Sequence, residues 1–384
     1  MINSVCGIRS TGRICTDIAQ ELENNGHECK IAYGREAVPT RFEKYAVRIG
    51  SDFGVNLHAG LSRIFDKSGF YSRRATAKFI KWIKTYDPDI IHLHNLHGYY
   101  LNIKVLFDYL KQANKPMVWT LHDCWTFTGH CPYFDMSGCE KWKTGCEHCP
   151  QKKQYPVSLV FDNSKKNYLR KKACFTDVDN LTIVSPSQWL KDLVGNSFLR
   201  EYPVNVIANG VDIEVFKPTN GDFKSRYGLD GKTVILGVAG VWEERKGLND
   251  FIRLAKILDD KYRIVLVGLS DAQLAELPEN VIGIKRTNNV SELAEIYTAA
   301  DVLFNPTYED NYPTVNLEAQ ACGTPVITYA TGGSGESVPT ENVVPRGDLQ
   351  SVIKLLESNL TVKDVKNTKD FCDEYLSLYN SVVQ

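Results

Sequence analysis

The 384-residue sequence lacks a surplus of charge of either sign, because 45 lysines and arginines face 46 aspartates and glutamates. A protein dedicated to nucleic acid normally carries a basic surplus, so no nucleic-acid partner is expected. Long apolar runs are also missing, and VILGVAGVW falls far short of the ~20 residues that span a membrane. No export signal follows Met1, so we expect a cytoplasmic protein whose eleven cysteines are reduced.

Common nucleotide-binding and metal-binding motifs are missing too. The first glycine-rich turn, GIRSTGRI, is not GxGxxG, and Arg13 stands where a P-loop needs lysine. This argues against a dehydrogenase or an ATPase, although such a turn can still present N–H groups to a phosphate. An ordinary tight turn explains the segment equally well. No DxD motif is placed to bind a metal, so no catalytic metal is expected.

The sequence does contain a regular alternation of short apolar runs and helical patterns. Ile14, Ile18 and Leu22 recur every four positions, and Gly26 stops this helix before the strand CKIAY. The same alternation predicts further strands at DIIHLH, MVWTLH, LTIVSPS, VNVIANG, TVILGVAG, RIVLVG, VLFNPT and VITY. We therefore predict an α/β protein with two doubly wound, Rossmann-like domains that face a central cleft.

The loop in IANGVDIEVFKPTNGDF marks the predicted domain boundary. The N-terminal domain is placed at residues 1–207 and the C-terminal domain at residues 208–365. A last helix, residues 366–384, is predicted to pack back on the N-terminal domain. An irregular, cysteine-rich insertion is predicted at residues 123–155, after a strand that ends at Leu121.

Four of the five cysteines of the insertion follow the pattern C-x7-C-x6-C-x2-C. The final CxxC is an ordinary half-site for zinc, and four thiolates could close a tetrahedral structural site in a segment with little core of its own. The alternative is a set of reduced, partly buried cysteines without metal. The predicted ligands are Cys131, Cys139, Cys146 and Cys149.

Two segments of the C-terminal domain predict an anion site. In GVAGVWEERKGLNDF, Arg245 and Lys246 follow a strand and suit a diphosphate that gains charge as it leaves. The alternative is a solvated charge cluster. In PTYEDNYPTVNLEAQACGTP, a short helix begins after Pro313, and its first N–H groups, near Thr314 and Val315, can bind an anion.

Two acids flank that helix N-terminus. Asp310 precedes the helix, and Glu318 lies one turn inside it, where its carboxylate could accept hydrogen bonds from vicinal sugar hydroxyls. The two acids could thus bracket one ligand. The alternative is that Asp310 only caps the helix and Glu318 is solvated.

Taken together, NGVDIEVFKP, RKG and DNYPTVNLEAQACGTPVI resemble the family 4 retaining glycosyltransferases of the GT-B fold. INSVCGIRSTGRI, HLHN, TLHDCWTFTGHC and CPQKKQYP are similar, more narrowly, to the bacterial capsular and exopolysaccharide (colanic-acid-type) branch. The resemblance covers nearly the whole chain. It implies retaining transfer of a sugar from a nucleotide diphosphate sugar, a UDP- or GDP-sugar, to a glycan or polyprenyl-diphosphate-linked acceptor in surface polysaccharide biosynthesis.

The resemblance also implies roles for single residues. Glu318 matches the acid that binds the nucleotide ribose, and Asp310 matches the acid, usually glutamate, that approaches the transferred sugar. The family's diphosphate-binding arginine usually lies where this chain has Val241, so Arg245 must reach the donor from a different angle. His122 matches a first-domain histidine that touches the donor sugar, although a lone histidine is often structural.

The complete set of predicted site residues follows from these arguments. The predicted catalytic residues are Arg245, Lys246, Asp310 and His122. The predicted donor-binding residues are Gly12, Gly240, Arg245, Lys246, Arg286, Asp310, Pro313, Thr314, Val315 and Glu318. The predicted acceptor-binding residues are Arg13, His94, Asn95 and His97.

A membrane face is a further expectation. GFYSRRATAKFIKWIKTYDPD interleaves cations with aromatic residues, and such a helix can lie on an anionic inner-leaflet surface, where the resemblance implies a lipid-linked acceptor. The alternative is that Phe79 and Ile83, four residues apart, face the core while the lysines are solvated.

Two other functions fit parts of the sequence. A non-hydrolysing nucleotide-sugar epimerase shares the two-domain architecture and needs no acceptor. A catalytically degenerate transferase could serve as an assembly subunit that docks through the cysteine insertion, and the departures at Asp310 and Val241 favour this alternative.

Overall fold

The computed structural model describes residues Met1–Val383, and the chain divides into two compact units. The first comprises Met1–Ala208 with the C-terminal segment that begins at Lys369, and the second comprises Asn209–Thr368. Parallel strands form the sheets of both units, which confirms the predicted α/β class with doubly wound sheets. No helix among the described residues combines the length and the apolar character that a membrane crossing requires.

The first unit is built on a four-stranded parallel sheet in the order β3-β4-β5-β6. Strands β1 and β2 form a separate parallel pair, and Ile2 makes isolated parallel bridges to Ala32 of β1 and Leu93 of β3. The helices and strands of the first unit are α1 (Arg9–Asn24), β1 (Ile31–Tyr33), β2 (Ala46–Arg48), α2 (Asp52–Phe65), α3 (Arg73–Tyr86), β3 (Ile91–Leu93), α4 (Ile103–Ala113), β4 (Met117–Thr120), α5 (Ser164–Phe175), β5 (Leu181–Ser185), α6 (Gln188–Gly195) and β6 (Val204–Val206).

The second unit contains a six-stranded parallel sheet in the order β12-β11-β10-β7-β8-β9. The chain enters at the central strand β7, runs outward through β8 and β9, and then returns to β10 on the other side. The carboxyl ends of β7 and β10 are therefore a topological switch point, where ligands bind in such sheets. Its elements are α7 (Phe223–Arg226), β7 (Thr233–Val238), α8 (Leu248–Ala255), β8 (Tyr262–Val267), α9 (Asp271–Ala275), β9 (Val281–Ile284), α10 (Val290–Ala299), β10 (Val302–Asn305), α11 (Thr314–Ala321), β11 (Val326–Tyr329), β12 (Val343–Val344) and α12 (Leu349–Leu356).

The C-terminal helix α13 (Thr368–Val383) supplies an aromatic face to the first unit. Its Phe371, Tyr375 and Tyr379 are buried in one cluster with Ile18 and with residues of β4 and β5. The hydroxyl of Tyr375 lies 2.8 Å from Thr120 Oγ1, and that of Tyr379 lies 2.6 Å from His92 Nδ1. These contacts combine apolar burial with satisfied polar groups, which is what a buried tyrosine requires.

Two local expectations can be compared with the helices of the first unit. Helix α1 begins at Arg9, so Gly12 and Arg13 lie inside the helix, and the predicted glycine-rich turn is shorter than expected. In α3, Phe79 and Ile83 are buried in the main core of the unit. The aromatic residues of this helix thus pack inward, as the core-facing alternative for this segment proposed.

A buried carboxylate connects α8 to strand β11 and to the loop that follows β10. Asp250 is 2% exposed and accepts hydrogen bonds from the hydroxyls of Tyr308 (2.7 Å) and Tyr329 (2.9 Å). Arg253 donates to its other oxygen at 2.9 Å. A buried charge is tolerated only when it is paired in this way.

We expect Asp250→Ala to lower the free energy of unfolding by about 2–4 kcal/mol, because it leaves two tyrosine hydroxyls without their acceptor. Urea denaturation followed by circular dichroism measures the change. The matched control is Asp271→Ala, which removes an exposed ion pair with Lys285 and should change stability by less than about 0.5 kcal/mol. Equal effects of the two substitutions would show that the Asp250 network does not stabilise the unit.

Candidate functional site

The two loops at the switch point of the second unit carry the predicted cations and the first predicted acid. Arg245 and Lys246 follow β7 in a short 3-10 helix, Glu244–Lys246, and Asp310 follows β10. The side chains of Lys246 and Asp310 form an ion pair. The guanidinium of Arg245 donates to the carbonyl of Glu309 at 3.0 Å. The structure therefore brings these three predicted residues together, although they are far apart in the sequence.

Backbone contacts hold the two loops against each other. The N–H of Tyr308 donates to the carbonyl of Arg245 at 2.7 Å. Gly247 has φ +75°, and a Cβ at this position would lie 2.3 Å from the carbonyl oxygen of Pro306. Only glycine combines this conformation with such a close approach. Gly247 thus allows the loop that carries Arg245 and Lys246 to approach the loop that carries Asp310.

The environment of Asp310 favours its charged form. Burial alone would raise the pKa of this carboxyl group, but the Lys246 ammonium and the Arg245 guanidinium outweigh burial and hold the pKa below its ordinary value. The N–H of Asn311 also donates to Asp310 Oδ1 at 2.9 Å. Both carboxylate oxygens are therefore engaged, one by Lys246 and one by the backbone.

Helix α11 begins where the sequence predicts a helix N-terminus that could bind an anion. Its N-cap residue is Pro313, and no side chain caps it. The alternative that Asp310 is a helix cap is therefore wrong. Thr314 and Val315 are the first two helical residues, whose N–H groups have no acceptor within an α-helix.

Glu318 lies within the same helix and is not solvated. It is 4% exposed, and its Oε2 accepts a hydrogen bond of 2.9 Å from the hydroxyl of Tyr297 in α10. The alternative of a solvated helix residue is thus wrong. The sequence does not identify Tyr297 as a partner of Glu318, because the spacing of residues within one helix carries no information about its contacts with another helix.

The remaining donor-site candidates are less closely joined to this group. Gly240 is exposed in the loop after β7, and Arg286 is exposed directly after β9. Gly12 is buried in the first unit, where a Cβ would lie 3.0 Å from Val5 Cγ2 and 3.2 Å from the Gly7 nitrogen. Because Gly12 has no side chain, helix α1 can pack closely against the preceding residues Val5 and Gly7.

Three histidines of the first unit form a stack at the carboxyl ends of β3 and β4. The ring centroids of His92 and His94 lie 4.0 Å apart, and Nδ1 of His94 lies 3.1 Å from Nε2 of His122. Burial lowers the pKa of His122 to about 4, and the pKa values of His92 and His94 lie well below the ordinary value for the same reason. All three imidazoles are therefore neutral near pH 7 and can exchange hydrogen bonds but supply no positive charge.

A second polar group lies beside this stack. His97 Nε2 is 2.8 Å from Asp123 Oδ2, and His97 Nδ1 is 3.1 Å from the hydroxyl of Tyr155. The backbone of Asn95 donates to the Asn3 side chain at 3.2 Å. Asp123 and Tyr155 were not among the predicted site residues, although LHD and QKKQYP pointed to their segments. Arg13 lies one turn along α1 from its start, half-buried.

Four of the five cysteines of the insertion, the predicted zinc ligands, line one cavity of about 20 Å³. Cys131 hydrogen-bonds to Cys149, and the N–H of Gly129 donates to Cys146 Sγ at 3.2 Å. Burial raises the pKa of the Cys146 thiol to about 11.

The zinc site at Cys131, Cys139, Cys146 and Cys149 stays a prediction. The structure gathers the four cysteines around one cavity, as their spacing suggested. Within residues 1–383, no group of three or more His, Cys, Asp or Glu side chains is arranged to hold a metal ion.

Comparison with protein families gives two matches that together span most of the chain. A model described as Glycosyltransferase Family 4 matches residues 11–215, more than half of the sequence. A model described as Glycosyl transferases group 1 matches residues 220–368, which include the switch-point loops of the second unit.

Single proteins give a consistent result. A candidate colanic acid biosynthesis glycosyl transferase of Escherichia coli K12, WcaC, is 28% identical over 336 residues, covering 84% of this chain and 80% of that protein. The D-inositol 3-phosphate glycosyltransferase of Corynebacterium jeikeium K411 is 30% identical over 179 residues, covering 41% and 43%.

Solved structures share the fold at low identity. HepE of Anabaena in complex with UDP has a TM-score of 0.61 at 16% identity and covers 100% of this chain and 96% of its own. Sucrose-phosphate synthase of Thermosynechococcus elongatus has a TM-score of 0.64 at 17% identity, covering 98% and 92%. The predicted GT-B fold is thereby confirmed.

The thiol pair in the insertion generates a prediction about reactivity. The hydrogen bond from Cys131 lowers the pKa of Cys149 to about 7, although burial acts in the opposite direction. Since the thiolate is the nucleophile, the alkylation rate of Cys149 should rise as pH increases through about 7. Pulsed iodoacetamide labelling with mass spectrometry should find Cys149 modified first. In the Cys131→Ala variant, the increase in the alkylation rate of Cys149 should occur at higher pH. An unchanged pH profile in this variant would contradict the claim that Cys131 lowers the pKa of Cys149 through a hydrogen bond.

Proposed function

Because the chain belongs to glycosyltransferase family 4, we propose that it transfers a hexose from a nucleotide diphosphate sugar to a carbohydrate hydroxyl with retention of anomeric configuration. The coarser activity, that of a glycosyltransferase, follows from the family itself. The observation that supports this donor site best is the ion pair of Lys246 with Asp310, beside Arg245, at the switch point of the second unit. Two cations fixed at one place are suited to a diphosphate leaving group.

Lys246 and Arg245 bind the donor diphosphate in this proposal. As the sugar leaves, negative charge develops on the phosphate oxygen that it leaves behind, and cations already held in place stabilise that charge without reorganisation. The N–H groups of Thr314 and Val315 add the positive end of a helix dipole. Asp310 acts as a positioning residue, because its carboxylate fixes the ammonium of Lys246 rather than remaining free for the sugar.

The reaction needs no nucleophile from the protein. The bond between the anomeric carbon and the diphosphate oxygen breaks, and the acceptor hydroxyl oxygen bonds to the same carbon from the same face. The proton of that hydroxyl passes to the departing phosphate oxygen, so that charge balances. His122 is neutral near pH 7, and we propose that it donates a hydrogen bond to the bound sugar.

We propose a UDP-sugar as the donor and a lipid-linked glycan as the acceptor. HepE, which shares the fold, is a protein solved with UDP and with UDP-glucose. WcaC, the relative of E. coli, is assigned to colanic acid biosynthesis. His94 and the His97–Asp123 pair of the first unit are our candidates for acceptor contacts. A lipid-linked acceptor would place the enzyme at the inner face of a membrane.

Replacing the central cation tests this assignment. We expect Lys246→Ala to lower kcat by about 100-fold or more, because one charge that stabilises the leaving group is lost. Release of UDP from the donor measures turnover. Lys261→Ala removes an equally sized cation from an exposed site and should leave turnover unchanged. Full activity of Lys246→Ala would show that the assignment of Lys246 to the donor site is wrong.

A second substitution tests the ribose contact. We expect Glu318→Ala to raise KM for the donor about tenfold with little change in kcat, since the contact is made equally in the ground state and the transition state. Tyr297→Phe is the matched variant, because it removes the hydroxyl that donates to Glu318 and leaves the carboxylate in place. An unchanged KM in Glu318→Ala, with the fold intact by circular dichroism, would remove this residue from the donor site.

A further inference from the structure

Helix α2 of the first unit presents a stripe of apolar residues outward. Phe53 is 77% exposed, Leu57 is 51% exposed, and Ile64 is also exposed. These three positions are separated by four and seven residues, so they lie along one face of the helix. The inner side of the helix packs through Val55 and through two buried polar residues, His58 and Ser62.

The hydrogen bonds of the buried His58 show how the inner side of α2 is attached to the rest of the unit. Nδ1 of His58 lies 2.8 Å from the hydroxyl of Ser72, and Nε2 accepts a hydrogen bond from the N–H of Gly69 at 3.2 Å. Both ring nitrogens are thus satisfied, and the polar side of the helix is anchored without help from the exposed side chains. The outer stripe consequently contributes little to the packing of the unit.

A loop extends this exposed apolar surface. The N–H of Leu159 donates to the carbonyl of Arg63 at 2.7 Å, and that of Phe161 donates to the carbonyl of Ile64 at 3.1 Å. The rings of Phe65 and Phe161 are stacked at 5.7 Å. We call the combined surface the apolar face, and it consists of Phe53, Leu57, Ile64, Phe65, Leu159, Val160 and Phe161, all exposed.

The surroundings of the apolar face are basic. Residues 52–67 and 151–166 contain six lysines and arginines against three aspartates, and one of these cations, Lys165, is paired with Glu147. Asp66, one of the three, is buried against His130, and Asp52 is paired with Arg48. The ammonium of Lys67 lies 5.8 Å from the Phe65 ring. A contiguous apolar surface of this kind marks a binding site, and its basic border favours an anionic partner.

We propose that the apolar face inserts into an anionic phospholipid bilayer, with α2 lying parallel to the membrane surface and the bordering lysines and arginines contacting lipid phosphates. This inference rests on the proposed function only for its purpose, which is to bring a lipid-linked acceptor to the first unit. The helix α3, which the sequence suggested for this role, has its aromatic residues packed inward, whereas α2 and the loop 159–161 have theirs outward. A protein partner of ordinary surface composition would not need the basic border.

Vesicle sedimentation with the full chain tests the proposal. Vesicles of equal parts phosphatidylethanolamine and phosphatidylglycerol should bind the protein, and vesicles of phosphatidylcholine alone should bind it weakly. Phe53→Ser with Leu57→Ser should reduce binding to the anionic vesicles by about tenfold or more. Leu159→Ser with Val160→Ser provides an independent change in the loop, with the same expected loss. Lys153→Gln with Lys166→Gln should weaken binding and reduce its dependence on salt.

The matched control removes two exposed apolar side chains of the second unit, Ile257→Ser with Val362→Ser, and should bind vesicles like the wild type. A thermal shift on addition of UDP is recorded for every variant, so that loss of the donor site is distinguished from loss of membrane binding. The proposal is overturned if the wild type does not bind anionic vesicles, or if both apolar variants bind as the wild type does. It is also overturned if the wild type is a dimer that the Phe53 and Leu57 substitutions disperse, since a second copy would then cover this face.

Discussion

The ion pair between Lys246 and Asp310 joins the loops that follow two adjacent parallel strands, β7 and β10. Strand order dictates that these loops meet, because β7 opens the sheet and β10 returns to its other side. Two further features depend on this contact between the loops. Position 247 requires glycine, and the guanidinium of Arg245 donates a hydrogen bond to the carbonyl of Glu309 in the loop that follows β10. Burial acts to raise the pKa of Asp310, and the two neighbouring cations hold it below its ordinary value, so that the carboxylate keeps the charge that fixes Lys246. The arrangement of the proposed donor site thus depends on one partly buried charge pair.

The alternation of apolar runs predicted the strands well, since parallel strands buried on both faces read as continuous apolar segments. VITY coincides with β11, and α11 begins at Thr314, as Pro313 suggested. Arg245, Lys246 and Asp310 were each found from local signals, namely a strand end, a glycine and a helix start. Their mutual contacts were not, because pairing between residues 64 apart depends on strand order. The contact of Glu318 with Tyr297 could not be predicted either, because it joins two different helices.

Two regions show how far a sequence pattern can be carried. The cysteine spacing correctly predicts that four cysteines lie around one cavity, and whether they bind zinc stays a prediction. In α2, a stripe of apolar residues at helical spacing would normally be assigned to the core. Here a buried histidine with two local partners anchors the opposite side, so the apolar stripe is left exposed. Periodicity identifies which residues share a face, and only the packing partners decide whether that face is inside.

The central claim is that a nucleotide diphosphate sugar is the donor and is cleaved for transfer. Release of nucleotide diphosphate from a panel of UDP-, GDP- and ADP-sugars, with and without a lipid-linked glycan extract, tests it most directly. The account predicts slow release from a UDP-sugar alone and faster release when the acceptor is present. No release from any donor, while one nucleotide still stabilises the protein against heat, would contradict the account and would favour a subunit that binds nucleotide without transferring sugar.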